Sequence, residues 1–171
     1  MTIREVTPDD IPAILGLVQE LATYEREPDA TKGTVEGYRR ALFPEDGRPV
    51  AYAHVAEIDG AVVGLALYYL TFSTWEGVPG MWLEDLYVQP AHRGTGLGKE
   101  MLLGLAELCV RNGWTRLEWC VLNWNTPAID FYHSLGASPM DEWTTYRLDG
   151  KALEHAGSLP AAGVISASLD S

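Results

Sequence analysis

The sequence has only two cysteines, Cys109 and Cys120, in 171 residues. Two are too few for a disulfide scaffold, so a reducing, cytoplasmic setting is expected. There is no run of about 18 apolar residues, so no membrane span is predicted. The opening residues, MTIREV, lack a basic start and an apolar core, and no signal peptide is predicted. Positive charge is scarce: 12 Lys and Arg stand against 24 Asp and Glu, for a net charge of -12. That balance argues against a phosphate-reading nucleic-acid face. It suits a small cationic partner, because a negative field concentrates cations, although solubility alone explains the acidity equally well. His54, His92, His133 and His155 show no metal-ligand spacing, so no metal site is expected. Cys109 and Cys120 read as small core residues.

Apolar residues are not lacking. They make up 47% of the chain, enough for a sizeable core. One domain over residues 1–154 is expected, followed by a small, polar tail over 155–171. TIREV reads as a strand. Residues 7–24 read as a helix, with Thr7 and Asp10 close to a capping box and Pro8 at the first helical position. Ile11, Ile14, Leu15, Val18 and Leu21 form its apolar stripe. Residues 34–43 form a second helix. Asp59-Gly60 marks a hairpin between strands at 51–58 and 61–72. MWLEDLYV, residues 81–88, is a further strand. A helix follows over 99–112 and stops at Gly113. TRLEWCVLN (115–123) alternates as a strand, NTPAIDFYHSLG (125–136) reads as a short helix, and WTTYRL (143–148) as a last strand. The predicted order is βααβββαβαβ: an α/β (α+β) fold, with one mostly antiparallel twisted sheet and helices on both faces.

Between strand and helix lies RGTGLG, residues 93–98. A dinucleotide fingerprint, G-x-G-x-x-G, fails here, because Lys99 and Met101 stand where its last glycine belongs. A Walker loop fails too: Gly98-Lys99 is followed by Glu100, and Arg93 occupies the first glycine's place. The pattern [RQ]-x-x-G-x-[GA] fits. On this loop the sequence resembles the GNAT superfamily of acyl-CoA-dependent N-acetyltransferases over residues 3–148. ELATYE, YYLTFSTWEG, LEDLYV, NWNTPAIDFYHSLGA and YRL extend the resemblance to the spermidine/spermine (diamine) acetyltransferase branch, which includes relatives acting on thialysine.

The resemblance implies an acetyl-CoA-dependent enzyme that acetylates a primary amine of a small cationic substrate by direct attack in a ternary complex. It implies that the pyrophosphate of acetyl-CoA is wrapped by Arg93, Gly94, Thr95, Gly96, Leu97, Gly98 and Lys99. Outward N–H groups at a helix start, with no Cβ in the way, suit such an anion. The main chain of Leu86, Tyr87 and Val88 is implied to pair with the pantetheine arm. Asn125, Ala128, Phe131 and Tyr132 are implied to contact CoA, with Tyr132 as the acid that protonates the leaving thiolate.

Glu84 is implied as the base that takes the amine's proton through water. As adjacent strand residues, Glu84 and Asp85 are expected to point to opposite faces. Asp85 then holds structure or lines the substrate path. Tyr24, Glu25, Trp75, Glu118, Trp119 and Cys120 match substrate positions of the branch. Asp141 and Glu142 are candidates to supply charge to a distal ammonium of the substrate, without a secure match to the branch. Tyr132 as a core aromatic and Asn125 as a helix cap are the plainer alternatives. A non-catalytic acyl-CoA sensor and an acetyltransferase for peptide N-termini are the rival functions; the sensor needs neither Glu84 nor Tyr132. A homodimer is implied by the resemblance alone.

Overall fold

The chain is described from a computed structural model in which residues 1–160 are placed. The remainder of the predicted tail lies outside the described residues. Two units are distinct, Met1–Leu122 and a second beginning at Asn123.

The first unit starts from a polar bolt. Asp10 accepts from the Thr7 N–H at 2.7 Å and from its hydroxyl at 2.9 Å, closing the predicted capping arrangement. Pro8–Asp10 is a 3-10 turn, and helix α1 proper runs Ile11–Tyr24. The Arg4 guanidinium, on strand β1 (Thr2–Glu5), donates twice to Asp10, at 2.7 and 2.9 Å. It also donates to Glu57 on strand β2 (Tyr52–Ile58). Those Arg4 bonds hold the Asp10 carboxyl down at about 2.

Helix α2 (Val35–Leu42) is capped by the Thr34 hydroxyl, which accepts from the Gly37 N–H at 3.0 Å. Strands β2, β3 (Ala61–Ser73) and β4 (Val78–Val88) follow as an antiparallel meander, and helix α3 (Leu97–Asn112) leads to β5 (Leu117–Glu118). The sheet order is β1-β2-β3-β4-β5, antiparallel except for β4 with β5. Asp59 and Gly60 take φ of 51° and 81°, the left-handed pair that a tight hairpin needs.

One core packs Ile14 and Leu17 of α1 and Leu42 of α2 onto Ala53, Val55, Leu65 and Tyr87. Leu17 takes the centre of the α1 stripe, while the expected Val18 and Leu21 sit at its partly buried margins. The other sheet face receives Leu97, Met101, Leu102, Leu105 and Cys109 of α3. A Cβ on Gly64 would stand 3.1 Å from the Met101 sulfur, so glycine lets α3 lie close.

Two strand predictions need correction. Of residues 115–123, only Leu117 and Glu118 pair, with Met81 and Trp82. Residues 143–148 form no strand among the described residues. Trp143, Tyr146 and Leu148 are 68%, 91% and 59% exposed. Alternating apolar residues make a strand only where a pairing edge and a covering layer meet them. Among the described residues the second unit instead forms two helices, α4 (Thr126–Ser134) and α5 (Gly150–Ser158); α5 enters the predicted polar tail. The α/β class and the helices on both faces of the sheet are as expected.

Candidate active site

The β3–β4 ladder runs Gly64–Val88, Leu65–Tyr87, Ala66–Leu86 and Leu67–Asp85, then jumps to Tyr68–Leu83. Glu84 is the extra residue of a β-bulge, and a bulge re-aims side chains by breaking the alternation once. The expected opposition of Glu84 and Asp85 is therefore wrong. Asp85, paired with Leu67, shares the face of Leu65 and Tyr87, which α1 and α2 cover. Glu84 accepts from the Trp82 indole N–H at 3.0 Å, and Trp82 stacks on Tyr69 at 6.4 Å. Tyr69 lies two residues beyond Leu67 on that same face. Both carboxylates therefore point to the α1 side.

Their environments differ. Glu84 is exposed, whereas Asp85 is half-buried. Burial, then the charges of Glu84 and Glu25, push the Asp85 carboxyl up to about 6. Glu25, just past the end of α1, is itself raised by burial. The Tyr38 phenol on α2 is raised by burial and by Asp85. The Tyr69 phenol is raised by burial, Glu84 and Cys120. Asp85 thus feels Glu84 and Glu25, Tyr38 feels Asp85, and Tyr69 feels Glu84, so these groups surround one acidic patch. Glu118 reaches this face from β5 opposite Trp82, with its carboxylate 2.9 Å from Arg116 Nε. Trp119, its neighbour, is half-buried. Trp75 is not brought here: it is 89% exposed, beyond Ser73 in the β3–β4 turn. That turn lies about 20 Å along β4 from Asp85.

Past the Trp82–Glu118 pair, β4 and β5 share no further ladder among the described residues. One edge of β4 from Leu83 to Val88 is thereby left to other partners, while β3 holds the opposite edge. The glycine loop follows. Gly94 and Gly96 take φ of 75° and 92°, and space is open around the Cβ either would carry. The Glu100 N–H bonds Gly96 C=O at 3.0 Å, the first helical bond of α3. The N–H groups of Leu97, Gly98 and Lys99 precede it and have no carbonyl one turn back within the helix. Leu97 is 1% exposed, so its side chain serves the core and only its main chain can serve the loop. The Thr95 hydroxyl donates to His92 C=O at 2.8 Å.

Arg93 turns its side chain toward the end of β4 and α1. Its Nε–H donates to Val88 C=O at 2.9 Å. Its guanidinium carbon lies 4.8 Å from the Tyr24 ring centre and 5.2 Å from that of Tyr87. Glu20 and Gln89 escaped the sequence reading. The Glu20 carboxylate accepts from the Tyr87 hydroxyl at 3.1 Å and from the Gln89 amide at 2.9 Å. Glu20 lies three residues after Leu17 and four before Tyr24, and that helical spacing was the available signal. Glu20, Thr23, Tyr24, Tyr87, Pro90 and Arg93 line an open hollow of about 360 Å³.

The second unit carries the other expected donor contacts. Asn125 sits at the N-cap of α4, and its carbonyl accepts from the N–H groups of Ala128 and Ile129 at 3.1 and 3.0 Å. Phe131 and Tyr132 are adjacent, yet their rings lie 5.3 Å apart, tilted by 50°. Both are half-buried, and no residue of α4 is fully buried. Among the described residues no cluster of His, Cys, Asp and Glu is fit to hold a metal ion, and no helix is long and apolar enough to cross a membrane.

A glycine-opened helix start, a sheet edge released beside it and an acidic face are features that an acyltransferase for amines needs. The chain belongs to the acetyltransferase (GNAT) family, whose pattern matches residues 15–137. It is similar to the thialysine N-epsilon-acetyltransferase of Bos taurus, 39% identical over 162 residues, covering 88% of this chain and 94% of that protein. It is 33% identical to the human spermidine/spermine N(1)-acetyltransferase-like protein 1, over 88% of this chain and 23% of that protein. Among solved structures, an integron cassette protein from the mobile metagenome of V. cholerae superposes with a TM-score of 0.77 at 25% identity, covering 92% of this chain and 98% of that one. The protein is therefore an acetyltransferase that acts on amines, in a family whose acyl donor is acetyl-CoA.

Proposed function

We propose that the protein acetylates the side-chain primary amine of a thialysine-like amino acid, or the terminal amine of a diamine or polyamine, by direct transfer in a ternary complex. The observation that carries this reading is the bulge at Glu84, which puts two carboxylates on one face beside Glu25. The relatives named for thialysine support the first substrate class.

Acetyl-CoA, when bound, supplies the acetyl group as a thioester. The backbone N–H groups of residues 94–99 suit its pyrophosphate, because they begin a helix and meet no Cβ at Gly94 or Gly96. The released edge of β4, residues 86–88, offers main-chain groups to the pantetheine arm and a donor to the negative charge that grows on the acetyl oxygen. An alkylammonium has a pKa of about 10.4 and must lose a proton before it attacks. Glu84 and Asp85 form the accepting pair: Glu84 is reached by water, and Asp85 is raised by its burial and then by the charge of Glu84. Glu25 and Tyr24 receive the substrate's cationic chain. Tyr132 donates the proton that the departing thiolate needs, a role resting on the resemblance of DFYHSLG. Two free cysteines fit a cytoplasmic setting. A homodimer, as the resemblance implies, would show as twice the monomer mass in sedimentation.

The test is thiol release from acetyl-CoA over a panel of thialysine, ornithine, lysine, putrescine, spermidine and an aminoglycoside. The expected result is the highest kcat/KM with thialysine or a diamine. A clear preference for the aminoglycoside, or turnover of peptide N-termini alone, would refute the substrate assignment.

A further inference from the structure

Arg93 leads the loop, yet its side chain turns back from it. Its Nε–H is spent on the Val88 carbonyl, and its plane lies against two aromatic rings, one from α1 and one from β4. We propose that Arg93 is a positioning residue that ties the end of α1 to the glycine loop, so that holding the acyl donor also orders the segment carrying Tyr24 and Glu25.

The geometry is specific to arginine. A planar fork can stack on a ring while one N–H bonds a carbonyl in its own plane, which a lysine ammonium cannot do. The neighbouring network gives the tie something firm to pull on. Glu20, one turn before Tyr24, grips Tyr87 and Gln89, the two residues flanking Val88. Tyr87, Val88 and Gln89 are therefore held from α1, and Arg93 carries that grip into the loop. At the far end, α1 stops with the Glu25 N–H on Leu21 C=O at 2.9 Å, and Arg26 turns the chain with φ of 69°. A non-glycine residue in that left-handed region marks a bend that its surroundings must hold. The stack of Arg93 on Tyr24 sits two residues before it. A donor that fixes residues 94–99 therefore also fixes Arg93, Tyr24 and the start of the amine-facing segment. The two substrates then bind with reciprocal coupling, as any shared ordering requires.

The proposal rests on the loop being the donor site. Its test is hydrogen–deuterium exchange with and without CoA, on the wild-type protein, Arg93→Gln and Tyr24→Leu. In the wild type, CoA is expected to slow exchange over residues 94–99 and also, by about 5-fold, over residues 20–27. In both variants the slowing at 94–99 persists while that at 20–27 falls to near 1-fold, and exchange in β3 stays at its wild-type rate. Slowing at 20–27 that survives in both variants, or is missing in the wild type while the loop is protected, overturns the tie alone. No slowing at 94–99 in the wild type overturns the loop reading and the tie with it.

Discussion

Asp85 and Glu84 show how much a single backbone step decides. Without the bulge, one carboxylate would face α3 and the other α1, and the two would not share a site. With it, burial first, and then the charges of Glu84 and Glu25, hold Asp85 up at about 6, where a carboxylate can take a proton near neutral pH. An acidic limb near pH 6 is expected in the kcat/KM profile. Glu84→Gln removes a negative neighbour, so Asp85 ionises more readily and the limb moves to lower pH. Asp85→Asn abolishes the limb and lowers kcat/KM by about 100-fold or more. Stability has its own sign. The folded-state value is above the ordinary 3.8, so ionised Asp85 costs stability above pH 6 and costs nothing below about pH 4. Asp85→Asn is therefore expected to gain on the order of 2 kcal/mol at pH 7.5, shrinking to nil toward pH 4. Thermal unfolding across that range checks it, and a gain that grew on acidification would contradict the assignment.

Among the elements, the glycine loop, the hairpin and the start of α1 were the most legible parts. Glycine spacing located the start of α3, Asp59-Gly60 located the hairpin, and Thr7 with Asp10 located the start of α1. Each signal is local, so a short window contains the whole cause. The bulge was not legible, because its cause is the pairing of β4 with a strand ten or more residues away. The role of Arg93 was hidden for the same reason: Tyr24 and Tyr87 are distant in sequence, and only the packed α1 brings them together. The short β5 and the missing strand over residues 143–148 show the reverse case. There the alternation was real, but beyond Leu117 and Glu118 no paired edge meets it among the described residues.

A prediction belongs to the loop itself. Gly96 has φ of 92° with open space around it, so a side chain there costs backbone strain and not a clash. Gly96→Val is expected to raise the KM for acetyl-CoA by about 10-fold, near the 1–2 kcal/mol cost of that conformation. Gly104→Ala, on the exposed face of α3 with equally open space, serves as the control: KM stays put and the melting temperature rises slightly. Equal effects of the two substitutions on KM would mean that the loop's conformation does not matter to the donor.

The whole molecule is acidic, with a net charge of -12. Its acidity is useful to an enzyme that takes a cation, because the field gathers the amine before any contact forms. That field also repels a tetra-anionic donor, so acetyl-CoA must be captured locally, by oriented N–H groups and not by bulk charge. The first unit meets both demands within one sheet. Its α1 face is acidic around Asp85, and its released β4 edge leads straight into the glycine-opened α3. The central claim is that this arrangement moves an acetyl group directly to an amine held in the same complex. A rapid-quench single turnover with acetyl-CoA and thialysine, followed by intact-mass and product mass spectrometry, tests it most directly. Free CoA and side-chain-acetylated thialysine are expected to appear together, with the protein mass unchanged at every time point. Acetylated protein that forms and decays ahead of the product, or no transfer to any small amine, would contradict it.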